Sequence, residues 1–211
     1  ISESTKVEIL KYIDYPAERI IVIPVAISDS FKPVQKQFDT QRPVLLHVGA
    51  TPNKNLERLV EAVQGLPCVL DIVGKISSQQ RQQLEDSRID YRVASNLPEH
   101  QMVEKYLNCD VVCFVSTYEG FGMPIVEAQS VGRPVLTSNI SSMPEVAGDA
   151  ACLVDPFSVD DIRTGLERII NDSAYRDDLV KKGFENCARF NAKQIATQYY
   201  DLYQEIVAHA E

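Results

Sequence analysis

No apolar run in these 211 residues approaches the roughly 18 that a bilayer-crossing helix needs, so the chain offers no helical membrane span. No basic block occurs either. The 21 lysines and arginines stand against 30 acidic residues, a net charge of −9, which argues against nucleic acid or an anionic membrane as the main partner. Asp-x-Asp is absent, so the commonest metal–diphosphate signature is missing, and His47, His100 and His209 have no zinc-ligand spacing. His100 and His209 are expected on helices. No Gly-x-Gly-x-x-Gly follows the first apolar strand of the main domain, which disfavours a dinucleotide dehydrogenase. Cysteine is sparse and odd in number: Cys68, Cys109, Cys113, Cys152 and Cys187 fall mostly in apolar runs and read as reduced core residues of a cytosolic protein. Cys109 and Cys113 are expected on one strand. Any anion site must then be local, made by a helix end and one or two lysines.

What is present fits a soluble globular chain, 45% hydrophobic and 24% charged, long enough for one large domain or one domain with an appendage. The segment Glu119-Gly120-Phe121-Gly122-Met123-Pro124-Ile125-Val126-Glu127 is the most informative. It places a glycine-loosened turn after an apolar run, then a proline suited to the first helical position, then a carboxylate one turn inside the helix. Such a helix start presents unpaired N–H groups and the positive end of the helix dipole, a site for phosphate. Glycine and glutamate at a helix start are ordinary architecture when met alone. Two glutamates flanking the anion site are explained by a ligand that also carries hydroxyls, as a sugar nucleotide does.

Strand-like and helix-like patterns alternate from residue 43. Val44–Val48 ends at Gly49, Val69–Val73 ends at Gly74, and Tyr91–Ala94, Val111–Val115, Pro134–Leu136 and Ala151–Val154 complete the strands. Helices are expected between them: one carrying Leu56, Leu59, Val60 and Val63, a polar one at 77–87, one carrying Met102, Val103, Tyr106 and Leu107, the motif helix at about 122–131, and one turn after Pro144. This pattern predicts an α/β fold, a Rossmann-like parallel sheet with helices on both faces and ligands beyond the carboxyl ends of the strands. Gly49, Gly74, Ser95 and Glu119 all follow strand ends and point to that edge. The last 53 residues predict helices at 159–171, 173–188 and 192–209, the final one with an apolar stripe of Ile195, Tyr199, Leu202, Tyr203 and Ile206 that reads as core packing. Residues 1–12 predict a short helix and Arg19–Val25 a strand, neither with a partner of its own, as in a piece of a larger protein.

With these residues laid out, the chain resembles the C-terminal, donor-binding half of the family-4 retaining glycosyltransferases of GT-B fold. The resemblance is carried by Val22-Ile23-Pro24, His47-Val48-Gly49 with Lys54-Asn55-Leu56, Ile72-Val73-Gly74, Ser116-Thr117-Tyr118-Glu119 through Pro124 with Glu127-Ala128, Gly132-Arg133-Pro134-Val135, Pro144-Glu145-Val146-Ala147-Gly148-Asp149-Ala150, Asp155-Pro156 and Arg189-Phe190. It implies that Glu127 accepts hydrogen bonds from the ribose 2′- and 3′-hydroxyls, and that backbone N–H groups around Gly122 and Met123 hold the distal phosphate. It implies further that Glu119 faces the transferred sugar and that Lys54 neutralises the leaving diphosphate. Gly49, Asn53, Gly120, Phe121 and Pro124 join the donor site, and Ser95 and Leu97, in the stretch Val93–Leu97, pack against the base. Family members commonly carry an arginine after the glycine of the first strand. Here that position is Ala50, which leaves the diphosphate to Asn53 and Lys54 or weakens its binding.

The resemblance divides the chain into a remnant of an interdomain helix (1–17), a linker and entry strand (18–42), the nucleotide-sugar domain (43–190) and a C-terminal helix (191–211) that would pack against an absent N-terminal domain. That domain would bring the acceptor (a sugar, lipid or glycan) and any peripheral attachment of this cytoplasmic enzyme to a membrane. The implied activity is transfer of a hexose-type sugar from a nucleoside diphosphate donor, with retention and without a metal or other cofactor, in polysaccharide or glycoconjugate biosynthesis. A non-catalytic nucleotide-binding or regulatory module and a sugar-nucleotide epimerase of the same architecture are the alternatives.

Overall fold

The computed structural model describes residues 1–208. Six strands form one sheet: β1 (Val44–Val48), β2 (Val69–Val73), β3 (Asp90–Ala94), β4 (Val111–Phe114), β5 (Val135–Ser138) and β6 (Cys152–Val154). Their order is β3-β2-β1-β4-β5-β6 and every pairing is parallel. The parallel Rossmann-like sheet expected from the alternation is present, and its order reverses direction between β1 and β4.

The central strands are continuous apolar runs because both faces are covered, and successive side chains alternate between two cores. Leu45, Val111, Cys113 and Val115 join one cluster with α2 (Leu56–Val63), α3 (Ser78–Ser87) and α7 (Val159–Asn171). Leu46, Val112 and Phe114 join the other with α4 (Glu99–Asn108), α5 (Met123–Ser130) and α6 (Met143–Ala147). Asp71, mid-strand in β2 and only 5% exposed, is matched by Lys105 of α4 at 2.8 Å. At the opposite edge from the strand ends, Asp110 accepts the Val44 and Asp39 N–H groups and pairs with Lys36, which seats residues 36–39 under the sheet. Arg133 gathers the carbonyls of Leu107, Cys109, Val131 and Val34 there.

Several expectations are corrected. Arg19–Val25 forms no strand: a 3-10 turn at Ala17–Arg19 is followed by irregular backbone without ladder pairing, held by the buried Ile23 and by the bond from Ile27 N to Phe190 O at 2.9 Å. Cys109 lies at the end of α4 and not on the strand with Cys113. Pro124 is the second helical residue, after Met123, with Gly122 as the cap. Helices α8 (Ser173–Cys187) and α9 (Ala192–Ala208) form as expected, and α1 (Glu3–Leu10) within residues 1–12; position 209, including His209, lies outside the described residues. The stripe on α9 is not core: Ile195 is buried, whereas Tyr199, Tyr203 and Ile206 are exposed. Beyond Ile195 and the half-buried Leu202, the apolar face of this helix is left uncovered among the described residues.

Candidate functional site

The site lies at the carboxyl end of the sheet, where β1 and β4 run side by side. β1 ends in Gly49 at φ +98°, a conformation that L side chains rarely adopt. A Cβ there would also lie 2.7 Å from the Lys54 stem, so the glycine lets the lysine lie flat against the backbone. A 3-10 turn at Pro52–Lys54 brings Asn53 and Lys54 back across the strand ends. Asn55, in the left-handed region at φ 62°, caps α2, and its buried amide donates to Val115 O at 2.9 Å and Pro156 O at 2.7 Å. The turn is thereby tied to the end of β4.

Glu119 stands on the loop that leaves β4. Lys54 Nζ donates to its Oε1 at 2.6 Å, and Asn53 Nδ2 lies 3.3 Å from the same oxygen. Asn53 also donates to Tyr118 O, and Thr117 N donates to Asn53 O. The Lys54 ammonium sits 4.6 Å from the Phe114 ring centre. With side chains 20% and 14% exposed, Lys54 and Glu119 are partly withdrawn from solvent yet reachable. The loop is held from its other side by Ser141 and Ser142, whose hydroxyls donate to Glu119 O, and Ser142 also reaches Phe121 O.

Helix α5 opens at Gly122, φ +113°. Pro124 has no N–H, and the Ile125 N–H is taken by Gly122 O at 3.0 Å, so Gly122 and Met123 carry the donors left at this helix start. Phe121 packs edge-on against Phe190 at 5.5 Å and is buried, so only its backbone faces the site. Gly120 O accepts from Ser2 Oγ and Thr5 Oγ1 of the α1 segment. Glu145 in turn accepts the N–H groups of Glu3 and Ser4 at the start of α1. One turn into α5, Glu127 is half-buried, and the buried Tyr106 hydroxyl donates to its Oε2 at 2.5 Å. Burial raises the Glu127 carboxyl above its ordinary range, the Tyr106 bond opposes that rise, and the charge of Glu99 adds to it. Beneath the site, His47 is fully buried with Nδ1 on Cys113 O, and burial lowers it to about 4, so the ring is neutral at pH 7.

Gly49, Asn53, Lys54 and Glu119 thus meet in one cluster, and Gly120 through Pro124 and Glu127 follow from it along the chain. Ser95 and Leu97 do not join it. Ser95 is exposed after β3, and Leu97 lines a groove with Asp71, Arg92, Gln101 and Lys105 that shares no residue with the Lys54–Glu119 cluster. Sequence reasoning gave no role to Tyr106, Ser141, Ser142 or Glu145. Ser2 caps α1 locally through the Thr5 N–H, but Glu145 reaches the Glu3 and Ser4 N–H groups from more than 140 positions away, and no local pattern announces that contact.

The family described as glycosyl transferases group 1 matches residues 28–186. The chain belongs to that family. The group 1 match includes Gly49, Lys54, Glu119 and Glu127 and ends before α9. Among curated relatives, the Escherichia coli O-antigen chain mannosyltransferase B is 28% identical over 97% of this chain and 59% of its own length. The chain therefore spans little more than half of that relative. Sucrose-phosphate synthase from Thermosynechococcus elongatus superposes with a TM-score of 0.86 at 24% identity, over 99% of this chain and 57% of that one. Anabaena Alr3699/HepE, solved in complex with UDP and glucose, gives 0.84 at 16% identity over 97% and 62%. Both likenesses are of fold, and they fit one half of a GT-B architecture with a helical C-terminal extension.

Proposed function

We propose that the chain is the nucleotide-sugar half of a glycosyltransferase that moves a hexose from a nucleoside diphosphate donor to a glycan acceptor with retention. Mannose is the hexose favoured, because the O-antigen relative is named for it. The observation that carries the proposal is the Lys54–Glu119 pair, braced by Asn53, between the Gly49 turn and the opening of α5. The diphosphate would lie over the Gly122 and Met123 N–H groups with Lys54 at its negative charge, the work a metal would otherwise do. Glu119 would accept hydrogen bonds from the sugar hydroxyls while positive character develops at the anomeric carbon, and Glu127 would accept from the ribose diol. With Ala50 in the arginine's place, Asn53 supplies the second polar contact from that loop. Acceptor binding is assigned to the portion of the relatives' length that this chain does not span, and the exposed tyrosines of α9 to the contact with it. The reading places the enzyme in the cytoplasm.

Glu119→Ala in the full-length protein tests this. Turnover is expected to fall by about a hundredfold or more, with affinity for the nucleoside diphosphate kept. Unchanged turnover would remove Glu119 from the chemistry; absence of transfer in the wild type, with nucleotide binding intact, would make the chain a binding module instead.

A further inference from the structure

We propose that Tyr106 is a positioning residue for the donor's ribose, acting through the orientation of Glu127. The inference rests on the reading of Glu127 as the ribose acceptor. The terminal torsion of a glutamate is broad and roughly two-fold, so a half-buried carboxylate left to itself samples many planes. Here one oxygen is held: Tyr106 Oη donates to Glu127 Oε2 at 2.5 Å. The phenol is itself immobile. It sits in the last turn of α4, fully buried, with its ring edge-on to Phe31 at 5.4 Å and an interplanar angle of 81°. The bond therefore joins two helices on the same face of the sheet, and the carboxylate plane is set by the fold before any ligand arrives.

A buried phenol needs some acceptor, and that need alone would explain a bond. It does not explain why the acceptor is the one carboxylate of α5. An ionised carboxylate offers about four lone-pair positions, and the phenol takes one. Oε1 and the second position on Oε2 stay open in a fixed plane, which suits two adjacent hydroxyls better than a freely turning group would. Fixing that plane beforehand lowers the ordering cost of binding. Tyr106 thus makes the site selective for a ribonucleotide over its deoxy form without touching either.

The test measures affinities of the full-length protein for GDP, UDP and ADP, each against its 2′-deoxy form, in wild type, Tyr106→Phe, Glu127→Gln and the double variant. For the base that binds, wild type is expected to prefer the ribose form by about tenfold or more, since hydrogen bonds to a charged group are the strong ones. Tyr106→Phe is expected to cut that preference by about two- to tenfold. Glu127→Gln removes most of it, and adding Tyr106→Phe to Glu127→Gln changes nothing further, because the tyrosine acts only through the carboxylate. Full ribose preference in Tyr106→Phe overturns the role of Tyr106 alone. No ribose preference in wild type overturns the reading of Glu127 itself. Phenylalanine keeps the edge-on contact with Phe31; should that variant still fail to fold, Tyr106→His, which retains a ring donor, must keep more of the preference than Tyr106→Leu.

Discussion

Replacing Gly49 by alanine isolates what the β1 turn does for Lys54. The added Cβ meets two obstacles. The backbone at φ +98° is disfavoured for any L side chain, which costs about 1–2 kcal/mol of stability. The methyl would also sit 2.7, 2.8 and 2.9 Å from Lys54 Cγ, Cε and Cδ, distances that only displacement of the lysine relieves. Gly65 separates the two effects. Its φ of +75° carries a similar backbone cost, but a Cβ there meets nothing within 4 Å. Gly65→Ala is therefore expected to lower unfolding free energy by about 1–2 kcal/mol in urea titration and to leave nucleotide affinity untouched. Gly49→Ala should lose at least as much stability and, in addition, move the ammonium off its 2.6 Å contact with Glu119. A charge-assisted contact is worth about 1.5–3 kcal/mol, so diphosphate affinity is expected to fall about ten- to hundredfold. Isothermal titration with nucleoside diphosphates, alongside the corresponding nucleoside as a control without phosphates, reads this directly. Wild-type diphosphate affinity in Gly49→Ala would refute the argument that Lys54 must lie against a bare glycine to serve the site.

Two further perturbations test the frame beneath the site. His47 is held neutral by burial, with its pKa lowered from 6.5 to about 4, so the unfolded chain binds the proton first as pH falls. Its contribution is complete above pH 6.5 and is lost towards pH 4; it amounts to about 3 kcal/mol, and urea titrations at pH 7 and 4.5 should show a steeper loss in wild type than in His47→Gln. Parallel losses would remove the histidine from the account. Asn55→Ala leaves Val115 O and Pro156 O without their donor and puts alanine, which tolerates the left-handed region less well than asparagine, at φ 62°, an expected cost of about 3 kcal/mol or more. Asn55→Gly should recover only the backbone share, about 1 kcal/mol; complete recovery would mean the two amide bonds contribute nothing.

The sheet was legible because a parallel strand covered on both faces is mostly apolar, and Val44–Val48, Val69–Val73 and Val111–Phe114 are such runs, with His47 and Asp71 as buried polar exceptions, closed by polar or glycine turns. The same rule misled at Arg19–Val25. Ile20, Ile21, Val22 and Ile23 have strand composition, but a strand also needs a free backbone edge, and composition says nothing about that. Residues 20–27 lie outside the sheet and pack through side chains such as Ile23. The α9 stripe misled in the opposite sense. Helical spacing of Ile195, Tyr199 and Tyr203 establishes an apolar face, whereas what covers it depends on elements elsewhere.

The candidate site divides along the same line. Gly49, Gly122 and Pro124 announce themselves because they answer a local backbone demand that few residue types satisfy. Lys54 and Glu119 were singled out by motif, yet their contact spans 65 positions and exists only because β4 is inserted beside β1. The residues that hold them are ordinary in sequence: a serine pair at 141 and 142, a threonine at 5, a tyrosine at 106. Each acts through register across the fold, which no window of neighbouring residues encodes. Their number is itself informative. The loop bearing Glu119 is tied to Asn53 from the β1 turn, to Ser141 and Ser142 at the start of α6, and to Ser2 and Thr5 at α1. A loop bonded from three directions is fixed before any ligand meets it. A site that stabilises developing charge gains most from groups that need not reorganise, so this bracing is what the proposed chemistry would demand.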